Sequence, residues 1–249
     1  MKLEKTFRLF GIKINMLEYD EFIKYIEYVI NQNLRTRITY VTANSLNIIY
    51  DDPSMADTFR KFEVIHPDGV GIYLASRILY YKEGMRVRVT GSDFYPLLIA
   101  KASEKRWKIF LLGDGDENLE RARLRNPGFN IIGTQNGFHF DNDELVKRIN
   151  SSGADILFVG MGCPKQERWI IENKDRIDIK VIIATGEGIK VLAGVKKRGL
   201  PIVRTLGLEW MVRLLNNPRI YWRRYLLGNP LFVWRVIKYK IQNHRNKVV

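Results

Sequence analysis

Asp155-Ile156-Leu157-Phe158-Val159-Gly160-Met161-Gly162-Cys163-Pro164-Lys165-Gln166-Glu167 is the stretch that decides the fold of this chain. An almost continuously apolar run breaks into two glycines, and a polar segment with helical spacing starts at Lys165. A strand that is apolar on both faces belongs in a sheet covered on both sides, which is the habit of parallel sheets. Lys108 to Leu112 and Val181 to Ala184 have the same character, and Arg37 to Thr42 and Phe129 to Ile132 read as further strands. Helical patterns near 18–32, 92–106, 141–152 and 165–176 fall between them, with Ser92-Asp93 and Asp141-Asn142-Asp143 as N-caps. Strand–helix alternation of this kind predicts an α/β fold, a Rossmann-like and mainly parallel sheet flanked by helices. Phe7 to Ile14 alternates apolar and polar residues, as an edge strand or hairpin does.

The 249 residues suit one large domain, or one domain with an appendage. Apolar content of 46% and aromatic content of 12% exclude global disorder. One cysteine, Cys163, excludes an internal disulfide framework, and His66, His139 and His244 have no metal-ligand spacing. The start, Met1-Lys2-Leu3-Glu4-Lys5, lacks the apolar run of a signal peptide, and no uncharged apolar stretch is long enough to span a bilayer. The expectation is a protein of the cytoplasmic side.

The net charge is +14, and it is concentrated at one end. Thirteen of the 41 Lys and Arg residues lie between Lys196 and Val249, where Glu209 is the only acid. The same stretch holds Trp210, Trp222 and Trp234, with Tyr221, Tyr225 and Tyr239. This shift divides the sequence into an α/β core, 1–195, and a basic aromatic appendage, 196–249. Asn217-Pro218 and Gly228-Asn229-Pro230 place a capping residue before a proline, so short helices are expected near 205–216, 218–227 and 230–243. These helices either pack on the body with solvated arginines outside, or form a mixed apolar and basic surface of the kind that lies on membranes. The charge fits a polyanion: an anionic membrane, a diphosphate-bearing lipid or a nucleic acid.

In α/β folds ligands bind beyond the carboxyl ends of strands, and here those loops have distinctive chemistry. Thr42-Ala43-Asn44, His66-Pro67-Asp68-Gly69-Val70-Gly71, Gly113-Asp114-Gly115-Asp116, Gly160-Met161-Gly162 and Thr185-Gly186-Glu187-Gly188 each follow an apolar run. Arg88-Val89-Thr90-Gly91 precedes a helix. Glycines there admit close backbone approach, and helix N-termini offer N–H groups to phosphate. Gly113-Asp114-Gly115 lacks the third glycine of a dinucleotide fingerprint, and its acids would repel a pyrophosphate, so a plain turn is the better reading. Asp68 between Pro67 and Gly69 reads equally as a turn residue. Cys163 has no base nearby in sequence and reads as a packed thiol.

Taken together, Pro67-Asp68-Gly69-Val70-Gly71, Arg88-Val89-Thr90-Gly91, Phe110-Leu111-Leu112-Gly113, Val159-Gly160-Met161-Gly162 with Pro164-Lys165-Gln166-Glu167, and Leu192-Ala193-Gly194 resemble the WecG/TagA/CpsF bacterial glycosyltransferases, also called glycosyltransferase family 26. Leu206-Gly207-Leu208-Glu209-Trp210 and Trp222-Arg223-Arg224-Tyr225-Leu226 carry the likeness into the tail, so it spans roughly residues 8 to 240.

The resemblance implies an inverting, metal-independent transfer of N-acetylmannosamine or a related hexose from a UDP-sugar. It implies a polyprenyl-diphosphate-linked saccharide as acceptor, peripheral attachment to the cytoplasmic face of the membrane, and products for teichoic acid, capsule or exopolysaccharide. It implies no cofactor and no nucleic acid, and allows a homo-oligomer. By the same likeness Asp68 is the catalytic base, and Thr42, Asn44, Arg88, Gly113, Phe138, Gly162, Gln166 and Glu187 line the substrate site. Arg219, Arg223 and Arg224 are the candidates for membrane or diphosphate contact. Displacement needs a base on the acceptor hydroxyl and positive charge on the departing diphosphate; Asp68 serves as that base only if its site raises its pKa. Two departures stand out: Lys190 falls where the family usually has an acid, and the segment from Asp114 to Pro127 is short.

Overall fold

A computed structural model describes residues 3–196 and 199–245. Two strands, β1 (Thr6–Leu9) and β2 (Ile12–Asn15), pair antiparallel as a hairpin, one of the two forms that the alternation from Phe7 to Ile14 allows. The remaining six, β3 (Thr36–Val41), β4 (Val64–Pro67), β5 (Ile109–Gly113), β6 (Ile131–Gln135), β7 (Ile156–Gly160) and β8 (Val181–Ala184), form one sheet in the order β4-β3-β8-β7-β5-β6. Every pairing in it is parallel. Since all six strands run the same way, their carboxyl ends lie along one edge.

Helices cover both faces and divide the core into two apolar layers. One layer gathers Leu112, Leu157, Val159 and Ile182 from the strands with Leu46, Phe59, Ile72 and Ile170 from helices. The other gathers Ile109, Leu111, Phe158 and Ile183 with Phe22, Ile26, Phe94 and Leu98. Alternation along β5 and β7 sends neighbouring side chains into opposite layers, which is why these runs read as apolar throughout. The helix Tyr19–Asn31 buries Phe22, Ile26, Val29 and Ile30, one stripe at helical spacing, and Glu18 with Glu21 close a capping box at its start.

Three helices fall where the sequence reading placed only loops or left a gap. Ala43–Asp51 starts at once after β3, capped by Thr42, whose Oγ1 accepts from the Ser45 N–H. Pro53–Arg60 is capped by Asp52 with proline at its first position. Val70–Tyr80 begins directly after Gly69, whose φ of 90° makes the turn out of β4. A side chain at Gly69 would meet nothing, so backbone conformation and not space requires glycine there. The short segment after Asp114 still folds as a helix, Asp116–Arg125.

The C-terminal stretch comprises helices Pro201–Thr205, Glu209–Asn216, Pro218–Trp222 and Gly228–Arg245, with a π-helical turn at Arg223–Leu227. The last helix joins the body closely. Phe232 and Val236 are buried in the first apolar layer, and the Phe232 and Tyr239 rings lie edge-on to Phe10. Arg235 is buried too: it donates to the Asn47 carbonyl and side-chain oxygens at 2.9 and 3.1 Å, pairs with Asp51, and lies 4.4 Å from the Tyr50 ring centroid. The expectation that the tail arginines are either solvated or membrane-facing therefore fails for Arg235, because packing of Phe232 and Val236 carries it inward. Among the described residues no helix is long and apolar enough to cross a membrane.

Candidate active site

The carboxyl ends of the six parallel strands open into one cavity of about 480 Å³, a size suited to a small organic ligand. Each strand contributes its following loop: Thr42 and Asn44 after β3, Asp68 after β4, Asp114 after β5, Gly137 and Phe138 after β6, Gly160 to Cys163 after β7, and Thr185 to Gly188 after β8. Lys196, Arg213, Tyr221 and Arg224 from the C-terminal stretch close the remaining side.

Asp68 is held by its neighbours on both sides. Its N–H donates to the Val41 carbonyl and its Oδ1 accepts from the Gly91 N–H, both at 2.9 Å, while Gly69 N–H donates to Val89. This fixes the carboxylate between β3 and the helix Gly91–Glu104, whose Thr90 cap lies beside it. The Asp68 charge raises the pKa values of Tyr40 and Tyr95 after burial has already done so, and opposes the effect of burial on Lys196. Tyr95 donates to the Thr185 carbonyl at 3.1 Å, whereas the buried Tyr40 hydroxyl has no protein partner.

Gln166 lines the cavity, but its amide is spent inside the protein. Its Oε1 accepts from the N–H groups of Gly162 at 3.2 Å and Gly186 at 3.0 Å, and its Nε2 donates to Glu167 at 2.8 Å. It ties the glycine loops after β7 and β8 together, and so sets the cavity floor. Glu167 beneath it is fully buried; it also accepts from Thr39, and burial raises its carboxyl pKa against these hydrogen bonds. Cys163 is a packed thiol, its pKa pushed up by burial and then by Glu167.

Four expected site residues stand elsewhere. Arg88 is not among the lining residues; its guanidinium donates to the Arg204 carbonyl and ties the loop before Gly91 to the end of helix Pro201–Thr205. Gly113 sits behind the lining, where a side chain would come within 2.4 Å of the Gly160 carbonyl oxygen, so its glycine serves the close approach of β5 and β7. Arg219 and Arg223 point to solvent, Arg223 over the Trp222 ring, and only Arg224 of the three lines the cavity. The Arg224 Nε is buried without a partner.

Lys196, Arg213 and Tyr221 are functional candidates that no local motif announced. They converge on Glu187, which lies 3.1 Å from Lys196 Nζ and 3.7 Å from Arg213 Nη1 and accepts from the Tyr221 hydroxyl at 3.0 Å. Burial opposes ionisation of Glu187, but Lys196 and Arg213 outweigh it and bring its pKa down to about 2. Burial lowers the Lys196 pKa, and Arg213 adds to that. Lys165 donates to the Gly137 carbonyl at 3.1 Å beside Phe138, which is exposed at the cavity mouth. Lys190 lines the same side. Among the described residues no group of three or more His, Cys, Asp or Glu side chains is placed to hold a metal ion.

A carboxylate fixed at a strand end and five lining cations, gathered at the carboxyl edge of a parallel sheet, have the make-up of an enzyme's active site. A profile described as the glycosyl transferase WecG/TagA/CpsF family matches residues 7–246, and this chain belongs to that family. It is similar to the N-acetylglucosaminyldiphosphoundecaprenol N-acetyl-beta-D-mannosaminyltransferase of Staphylococcus aureus strain MRSA252, at 30% identity over 231 residues covering 87% of each chain. The protein of the same name from strain NCTC 8325 / PS 47 is 29% identical with the same coverage.

Proposed function

We propose that this glycosyltransferase moves N-acetylmannosamine or a related hexose, with inversion, from a UDP-sugar to a sugar carried on a polyprenyl diphosphate. The observation that carries the reading is the placement of Asp68 at the cavity wall within electrostatic reach of Lys196 and Arg213. A carboxylate there takes the proton of the acceptor hydroxyl as it attacks the anomeric carbon. The C–O bond to the nucleotide diphosphate breaks as the new glycosidic bond forms, and the leaving charge is met by Lys196, Arg213 and Arg224. Phe138 at the mouth offers a ring face for a nucleobase, with Lys165 and Lys190 nearby in the lining.

The acceptor assignment follows the names of the relatives, which specify a lipid-linked N-acetylglucosamine. A surface for that lipid is at hand. Ile202, Leu206, Leu215, Ile220, Leu226 and Leu227 are exposed on the short C-terminal helices, with Arg219 and Arg223 among them. Such a surface suits the interface of an anionic membrane, where each basic residue contributes about 1 kcal/mol. Nucleic-acid binding by the tail is less well supported, because Lys196, Arg213 and Arg235 turn inward. The test is incubation with a panel of UDP-sugars, including UDP-N-acetylmannosamine, and vesicles carrying a polyprenyl-diphosphate N-acetylglucosamine. Formation of a lipid-linked disaccharide is expected, and absence of transfer from every donor would overturn the reading.

A further inference from the structure

The family resemblance makes Glu187 a residue of the substrate site, yet its carboxylate is engaged by three side chains of the C-terminal stretch. It sits in the loop after β8, at the start of the helix Gly188–Leu192, in the wall of the cavity. A carboxylate held by an ammonium, a guanidinium and a phenol has the partners that a phosphate oxygen would take. Lys196 is only 14% exposed along its side chain, so two cations are drawn into a wall that would otherwise carry uncompensated buried charge. Lys165 and Arg224 line the same cavity without a carboxylate partner within salt-bridge distance among the described residues. The cavity therefore holds cations of two kinds, some already neutralised and some not.

We propose that Glu187 is an internal counter-ion for the diphosphate subsite: it holds Lys196 and Arg213 at the cavity wall, and the substrate diphosphate competes with it for them. The proposal rests on the glycosyl-transfer reading, and gives Glu187 a positioning role that touches neither sugar nor base. The Glu187, Lys196 and Arg213 cluster has one more cation than anion. The competition keeps nucleotide affinity moderate and lets the spent diphosphate leave, because a ready-made anion returns to the cations as it goes.

The test measures binding of UDP and of inorganic pyrophosphate to the full chain by titration calorimetry. In Glu187→Gln the amide still accepts from Tyr221 but no longer neutralises Lys196 or Arg213, so both ligands are expected to bind about tenfold tighter, near 1.4 kcal/mol. The double variant Glu187→Gln/Lys196→Met restores the cluster's charge and returns affinity to within about threefold of the original. Lys196→Met alone leaves Glu187 paired with Arg213 and Tyr221, and it weakens both ligands by about tenfold. That variant keeps the proposal open to refutation should Glu187→Gln fail to fold. Unchanged or weaker binding by a folded Glu187→Gln overturns the proposal, as does unchanged binding by Lys196→Met. If the unaltered protein binds neither ligand, the reading of the cavity as a nucleotide-sugar site fails, and the proposal falls with it.

Discussion

Asp68→Asn is the perturbation that bears most directly on the chemistry. The replacement is nearly isosteric, and asparagine keeps an oxygen able to accept from the Gly91 N–H, the hydrogen bond of 2.9 Å that fixes the side chain. The backbone bonds from Asp68 to Val41 and from Gly69 to Val89 do not involve the side chain. The fold is therefore expected to persist, with a melting temperature within about 3 °C of the original, since one retained hydrogen bond leaves less than about 1 kcal/mol at stake. What disappears is the ability to take a proton. Loss of a positioned general base lowers kcat by about 10²–10⁴, or roughly 3–5.5 kcal/mol of transition-state stabilisation. Removing a negative charge near Lys196 and Arg213 does not weaken UDP, so UDP affinity stays equal or improves. The assay is the initial rate of UDP release with lipid-linked acceptor in vesicles, alongside UDP titration of the same preparation. A folded Asp68→Asn protein with kcat within about threefold of the original would remove Asp68 from the proton-transfer step.

Other expectations follow from the same contacts. Gln166→Met leaves the Gly162 and Gly186 N–H groups without their acceptor, so about 2–4 kcal/mol of stability is lost, and kcat/KM falls because the two glycine loops are untied; thermal unfolding and transfer rates check this. Arg235→Met keeps the packed stem but abandons the Asn47 oxygens and Asp51, which costs about 1–3 kcal/mol and makes the last helix the first element cut in limited proteolysis. The Glu187 carboxyl, brought down to about 2 in the folded protein from its ordinary 4.5, contributes stability that is complete above pH 4.5 and is lost as pH falls through 2. Tryptophan emission from Trp210 and Trp222, followed in acid titration, is expected to change between those limits, and the change is absent in Glu187→Gln.

The architecture was legible because both-face burial leaves a mark that no surface element imitates. Ile156 to Val159 and Val181 to Ala184 are buried at every position, and their sequences could hardly be anything else. The helices Ala43–Asp51 and Val70–Tyr80 were missed for a physical reason: they begin within one or two residues of a strand, so their first turns carry the site residues and look like loops. Asp68, Thr42, Asn44 and Gly162 reach the cavity because each follows a strand end, while their expected roles, and the place of Phe138, rest on the family resemblance and not on periodicity. Lys196, Arg213 and Tyr221 were not singled out, since their partner Glu187 lies 9 to 34 positions away and nothing local encodes that pairing. Arg88 turns away from the cavity for the converse reason: a loop at the right height does not fix which way a long side chain turns, and Arg204 offers a carbonyl outside the cavity.

The C-terminal ribbon is pinned at its near end where Lys196 meets Glu187 and at its far end where Arg235 meets Asp51. A flap fastened on one side swings; a strap fastened on two can only arch. Arg213 and Arg224, carried between the two moorings, are thereby kept at the cavity wall.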